Sequence, residues 1–281
     1  MVGVLCLGGS DPQEGAGVQM DAAVCQALGH TPHQVVSVDT VQSLKGLESA
    51  TPREEVAIAH EIMFALDDGV KAVKIGALGN EKIVAAVVAA LEPWHKDLPI
   101  VLDPVCAATR TLGDDRLNTV AGARLMESEL FPLCRLVTPN AFEYGTGERY
   151  QNCRAVLLKG GHSVDLSMLE GVEPSAYIAD SLEELLQDPI EFRHPRIPGA
   201  EDLHGTGCAL SSAIACFMAT GMELWTACQC ALEAMHDWMT AAVENKTGLL
   251  PFALKELPTV GELPEAKEGE KRVMWLSGAE A

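Results

Sequence analysis

Basic residues are scarce in this chain: 20 lysines and arginines stand against 40 aspartates and glutamates, a formal net charge of −20. A surface this acidic repels phosphate backbones and anionic lipid, so neither nucleic acid nor membrane is expected as a partner. Any anionic substrate then needs a local positive site made from backbone dipoles, a lysine or a divalent cation. No apolar run is long enough to cross a bilayer, and Met1–Leu7 lacks the basic flank of a secretion signal. The expectation is a soluble, cytoplasmic protein. The 9 cysteines lack framework spacing, and Cys228-Gln-Cys230 has no second ligand pair to make a zinc site. Cys6, Cys25, Cys216 and Cys228 lie in hydrophobic stretches, as reduced core thiols do. Also missing are an internal repeat, a linker, a G-x-G-x-x-G directly after the first strand, and any Gly-Lys-Ser/Thr; the last two absences remove the usual dinucleotide and Walker readings.

What is present is a regular alternation of short apolar runs and amphipathic stretches. Strands are predicted at Val2–Leu7, Val35–Val38, Lys71–Ile75, Pro99–Leu102, Arg135–Val137 and Ala155–Leu158. Helices are predicted from the Gly15 region to Leu28, over Arg53–Leu66 (apolar at 56, 59, 62, 63 and 66), Glu81–Leu91, Asp115–Leu130, onward from Cys208, and over Glu223–Val243. Tyr177-Ile178 and Ile190–Arg193 suggest short antiparallel strands. The expected architecture is one α/β domain over residues 1–281, a central, mostly parallel sheet with helices on both faces. Its tail, 262–281, is polar and reads as surface or frayed. Such sheets bind ligands beyond the carboxyl ends of their strands. Asp11, Gln42, Lys74, Asp103, Asn140, Glu143 and Lys159 all fall at those ends, which argues for one cleft.

Leu203-His-Gly-Thr-Gly-Cys208-Ala-Leu-Ser-Ser212 organises the rest. Gly205-Thr206-Gly207 lets backbone approach a ligand closely, and the helix start behind it offers N–H groups and partial positive charge to an anion. Cys208, in the first turn, sits where that field favours thiolate. Each feature also has a plain structural reading. The glycines suit a tight turn, Asp103-Pro104 can close a strand, Gln42 suits a polar loop, and Asn140-x-x-Glu143 fits a capping box.

Gly9-Ser-Asp-Pro12, Gly15-Ala-Gly-Val-Gln-Met-Asp21, Lys74-Ile-Gly76, Asp103-Pro-Val105, Thr138-Pro-Asn140-x-x-Glu143, Lys159-Gly-Gly-His162 and His204-Gly-Thr-Gly-Cys208 occur in a distinctive order. Together they resemble the ribokinase superfamily, in particular its vitamin-kinase branch and the hydroxymethylpyrimidine/phosphomethylpyrimidine kinases of thiamine biosynthesis. The resemblance spans about residues 1 to 245. It implies a ribokinase-like fold and ATP- and magnesium-dependent phosphorylation of 4-amino-5-hydroxymethyl-2-methylpyrimidine and of its monophosphate. The same resemblance implies residue roles. Gly205, Thr206 and Gly207 with Cys208 would hold the moving phosphoryl group, Cys208 acting as base. Lys159, Asn140, Gly161 and Thr206 would bind ATP, and Asp103 and Glu143 the magnesium. Gly9, Ala16, Asp21, Gln42 and Val105 would line the acceptor pocket, and related enzymes are commonly homodimers.

Two departures stand out: Ala77 and Cys106 replace methionines usual in the family, and only Tyr144–Arg154 separates Glu143 from the next strand. A parallel crossover needs about a dozen residues, so either a helix is nearly lost or Glu143 is displaced. Alternatives left open are a pyridoxal/pyridoxine kinase, a degenerate kinase-fold ligand-binding protein, and a cysteine hydrolase using His204 or His162 as base.

Overall fold

The computed structural model describes residues 1–43, 46–105, 117–160, 177–248 and 272–276. In chain order they form β1 (Gly3–Gly9), α1 (Gly17–Ala27), β2 (Thr31–Ser43), β3 (Gly46–Pro52), α2 (Glu55–Asp67), β4 (Ala72–Ile75) and α3 (Glu81–Leu91). There follow β5 (Ile100–Leu102), α4 (Val120–Leu125), β6 (Leu136–Val137), α5 (Ala141–Tyr144), β7 (Ala155–Leu158), β8 (Tyr177–Glu184) and β9 (Ile190–Pro195). Helices α6 (Thr206–Ala219) and α7 (Leu224–Glu244) and strand β10 (Arg272–Trp275) complete the set.

These strands form one sheet in the order β10-β9-β8-β7-β6-β5-β4-β1-β2-β3. Pairings from β2 through β1, β4, β5 and β6 to β7 are parallel, while β2–β3, β7–β8 and β8–β9 are antiparallel. Alternation along β1 divides the core. Val4 and Cys6 pack with α1, α6 and α7, whereas Leu5 and Leu7 pack with α2 and α3. Both faces of β1 are therefore covered, which is why it reads as an unbroken apolar run. Ala209 to Met218 are all buried, as expected for a helix wedged between the sheet and its neighbours. On the opposite face Ile58 and Ile62 of α2 are fully buried, each worth about 1.5–3 kcal/mol of apolar transfer. The chain leaves β1 toward β2 on one side and β4 lies on the other. That reversal of strand order opens a crevice at the carboxyl end of β1.

Several expectations change. The second strand is thirteen residues rather than four and folds back as the β2–β3 hairpin. The helix expected over 115–130 begins, among the described residues, at Val120 and gives way to a π-turn at Met126–Leu130. The tail is not simply frayed. Arg272–Trp275 pairs in parallel with β9, and Met274 and Leu276 are buried. The antiparallel pair expected near 177 and 190 is present, and longer than expected. Finally, α5 is a single turn followed by a 3-10 turn at Glu148–Tyr150, so the short crossover is met by shrinking the helix.

Candidate active site

The floor of the crevice is the start of α6. Gly205 caps the helix at φ 82, and the helical ladder begins with Ala209 N–H donating to the Gly205 carbonyl at 2.9 Å. The amides of Thr206, Gly207 and Cys208 precede that ladder, as the first N–H groups of any helix do. Glycine is required at 205 twice over. The positive φ strains other residues, and a β-carbon there would stand 2.0 Å from the Gly15 carbonyl oxygen. The loop ahead of α1 is therefore pressed backbone to backbone against the loop ahead of α6.

A second motif meets the same point. A β-carbon on Gly207 would lie 3.2 Å from Lys159 Nζ and 3.5 Å from Asp103 Oδ2, so both side chains lie against the helix start. Lys159 and Asp103 form an ion pair at 2.8 Å, largely shielded from solvent. Burial opposes the Lys159 ammonium, but the Asp103 and Glu143 carboxylates outweigh it and hold the proton more firmly than usual. The Lys159 amide donates to the Pro139 carbonyl at 2.9 Å, and Asn140 bridges Lys159 across the gap between β6 and β7. Asn140 caps α5 in a complete capping box: its Oδ1 accepts the Glu143 amide at 2.9 Å, and Glu143 Oε2 accepts the Asn140 amide at 3.0 Å. Glu143 is thus held in place despite the short crossover, with part of its carboxylate already engaged.

Beneath Cys208 lies a buried charge network. Lys74 Nζ donates to both oxygens of Asp21, at 2.8 and 2.9 Å, and Ser212 Oγ donates to Asp21 Oδ1 at 2.7 Å. Burial alone would strip the Lys74 proton; Asp21, with Cys208 and Asp103 farther off, retains it. In the ligand-free chain Asp21, expected in the acceptor pocket, is engaged by Lys74 and Ser212 instead. Its two oxygens are consumed by Lys74 and Ser212, and it is completely buried. Removing one member of such a pair costs about 3–5 kcal/mol, since the other is left charged and unpaired.

The ligand-free surroundings of Cys208 oppose the thiolate expected at the helix start. Burial pushes the Cys208 thiol up to about 11; Lys74 pulls it down, Asp21 and Asp103 raise it further, and the Gly17 amide lowers it. In the ligand-free cleft these influences together favour the thiol over the thiolate at neutral pH. Among the described residues no histidine hydrogen-bonds it. His204 is half exposed and lies 3.8 Å from Asp11 instead, so it is not paired with the thiol as a hydrolase base would be; His162, the other candidate base, lies outside the described residues.

The acceptor candidates are placed less uniformly. Gly9 and Ala16 lie at the crevice, since a β-carbon on Gly17 would stand 2.3 Å from the Gly9 carbonyl oxygen and Ala16 is the residue preceding α1. Gln42 stands on the hairpin, which extends past the carboxyl end of β1, where Gly9 pairs Val38. Val105 is half-buried, and its carbonyl accepts from the Asn118 side chain. Gly161 and His162, like Cys106, lie outside the described residues.

Sequence reasoning missed Asn118 and Ser212. Asn118 Oδ1 accepts the amides of Leu78 and Gly79 at 3.0 and 2.9 Å, tying the loop after β4 to the loop after β5. Ser212 was legible only as the residue one turn beyond Cys208, on the same helix face. Two surface hollows of about 350 and 360 Å³, one beside Arg53 and Asn80 and the other beside Arg124 and Arg149, include none of the residues around Cys208. Among the described residues no three ligating side chains converge to cage a metal, and no helix is long and apolar enough to cross a membrane. What converges is an amide-lined helix start, a lysine, two carboxylates and a thiol, a set suited to holding phosphate oxygens while an adjacent hydroxyl is deprotonated.

Known proteins resemble this chain in both sequence and architecture. A family model described as phosphomethylpyrimidine kinase matches residues 11–146 and 147–253. The hydroxymethylpyrimidine/phosphomethylpyrimidine kinase of Rhizobium meliloti is 34% identical over 266 residues, covering 87% of this chain and 92% of that protein. Its counterpart from Streptomyces coelicolor is 30% identical over 268 residues, covering 88% and 92%. Among solved structures, phosphomethylpyrimidine kinase from Clostridium difficile 630 superposes with a TM-score of 0.65 at 23% identity, covering 88% of this chain and 99% of that one. Pyridoxal kinase from Staphylococcus aureus in complex with ADP gives a TM-score of 0.71 at 22% identity, covering 85% and 88%. The two structures share the ribokinase-like fold. Since the family match runs through most of the residues that build the cleft, the chain belongs to the phosphomethylpyrimidine kinase family.

Proposed function

We propose that this chain transfers the terminal phosphoryl group of ATP to the hydroxymethyl oxygen of 4-amino-5-hydroxymethyl-2-methylpyrimidine, and a second one to the resulting monophosphate, in thiamine biosynthesis. The observation that carries the reading is the meeting of Lys159 and Asp103 with Gly207 at the amide-bearing start of α6. The family membership supplies the chemical class. Phosphoryl transfer needs alignment and charge neutralisation more than covalent help. The amides of Gly205 to Cys208 receive the equatorial oxygens, and Lys159 neutralises the nucleotide phosphates. Asn140 and Gly161 complete the nucleotide site, and Gly9, Ala16, Gln42 and Val105 form the acceptor wall. The Gln42 carboxamide both donates and accepts, which suits an aminopyrimidine edge.

Magnesium fits the donors at hand. It binds through one or two carboxylates and keeps water and phosphate oxygens as its remaining ligands; Asp103 and Glu143 both influence Lys159 and stand at that end of the cleft. Bound there, the ion would supply charge neutralisation on the phosphates. Cys208 is the group positioned to take the acceptor proton, which only its thiolate can do, so its own proton must first pass to solvent. A cytoplasmic homodimer completes the reading. Exposed Val56, Met63 and Phe64, all on one side of α2, provide an apolar surface that a second copy would cover.

Steady-state ATP consumption with the pyrimidine alcohol, its monophosphate and pyridoxal as separate acceptors tests the reading. Turnover is expected with the first two, with pyridoxal at least about tenfold poorer in kcat/KM. Preference for pyridoxal, or nucleotide binding without turnover on any acceptor, would overturn it.

A further inference from the structure

The Lys159 segment is held from a direction that the phosphoryl-transfer chemistry does not use. The β7–β8 ladder ends at Leu158, which pairs Ser181. One step beyond, the ladder is replaced by a side chain: Asp180 Oδ1 accepts the Gly160 amide at 2.8 Å. Asp180 is 3% exposed, and its other oxygen pairs His194 Nε2 at 2.9 Å. His194 is buried as well, and its Nδ1 has no partner among the described residues. Gly160 is pressed so close to β8 that a β-carbon there would stand 2.1 Å from the Ala179 carbonyl oxygen. On its other side the Lys159 amide is fixed to Pro139. The residue bearing the ammonium is thus clamped before and behind, by Pro139 in the segment after β6 and by Asp180 of β8.

A buried carboxylate is costly to keep charged unless it is paired and hydrogen-bonded, and a backbone ladder would serve the fold alone. We propose that Asp180, steadied by His194, is a positioning residue for phosphoryl transfer: it anchors the Gly160 amide and so sets where Lys159 presents its ammonium beside α6. The proposal rests on the reading that Lys159 neutralises the nucleotide phosphates.

The test uses the full chain and compares Asp180→Ala, Asp180→Asn, His194→Ala and Lys159→Met by steady-state kinetics in both substrates. A misplaced binding group loses rate out of proportion to its distance from the chemistry, so Asp180→Ala should raise the KM for ATP about tenfold and lower kcat, while moving the pyrimidine KM less than about twofold. Asp180→Asn retains an acceptor for Gly160 and should recover most of both parameters. A purely structural role would lower the melting temperature and the active fraction without separating the two KM values, and that result overturns the proposal. Should Asp180→Ala fail to fold, His194→Ala keeps the Gly160 bond but releases the carboxylate's other oxygen. It should raise the KM for ATP alone by about threefold, and an unchanged value overturns the proposal. Lys159→Met separates the two layers. No rise in its KM for ATP removes the lysine reading and this proposal together. A rise there with none in Asp180→Ala removes the positioning role only.

Discussion

Cys208 stands between opposing influences. The α6 start, the Gly17 amide and Lys74 favour its thiolate, while burial, Asp21 and Asp103 favour the thiol and raise it to about 11. Because the acid form wins in the ligand-free cleft, the active fraction of the base grows tenfold per pH unit well below that value. The kcat/KM for the pyrimidine alcohol, which reports the free enzyme, should therefore climb with a slope near one from about pH 7 to about pH 9. Cys208→Ala should be slower by about a hundredfold or more and flat over the same range. A flat profile in the unmodified chain would remove the thiol as base. Position 208 itself was legible in the sequence, because a cysteine after Gly-Thr-Gly at a helix start is a local pattern. Its protonation was not, because the deciding charges come from positions 21, 74 and 103. The ion pair of Asp21 was hidden for the same reason: its partner Lys74 is 53 positions away, and nothing local reveals that they neutralise one another.

At the scale of elements, what matters is how closely the loops that carry the cleft approach each other. Gly205 admits the Gly15 carbonyl to a distance no side chain allows, whereas Gly207 faces the flexible end of Lys159. Gly205→Ala should thus push the two loops apart and lower kcat by about a hundredfold, the scale expected when catalytic groups shift by about 1 Å. Gly207→Ala, meeting a side chain that can yield, should cost less in the same assay. Equal losses would mean that loop contact is not what sets the amides. The helix starts and the parallel strands were readable because they repeat with clear periods. The β2–β3 hairpin was not, because Gly46–Pro52 buries only its first two residues and leaves no alternation to detect. Strand β10 was hidden for another reason. Arg272–Trp275 is a short apolar segment after a charged stretch, and only its pairing with β9 makes it a strand. The single-turn α5 was foreshadowed by the shortness of 144–154, and its capping box shows why Glu143 keeps its place.

For the molecule as a whole, the thiols carry a stability consequence. Burial pushes Cys208 and Cys230 up to about 11 and Cys153 up to about 12, and raises Cys134 and Cys228 as well. A group whose folded pKa is raised stabilises the fold fully below its unfolded value, and loses that contribution as pH rises through the folded one. For these thiols the window opens near the ordinary cysteine value, about 8.5, and extends to about 11 or 12. The urea midpoint should therefore fall steadily between pH 8.5 and pH 10.5, and replacing Cys153 with alanine should flatten part of that fall at the expense of lower stability at pH 7. A midpoint independent of pH across that interval would show that the thiols ionise as freely folded as unfolded.

The seam between Gly15 and Gly205 joins residues far apart in the chain, as does the Ser212–Asp21 bond, whose partners are 191 positions apart. A polypeptide still emerging from the ribosome, with its first strands already paired, has nothing yet to close them. Competence to handle phosphate arrives late in synthesis, and all at once.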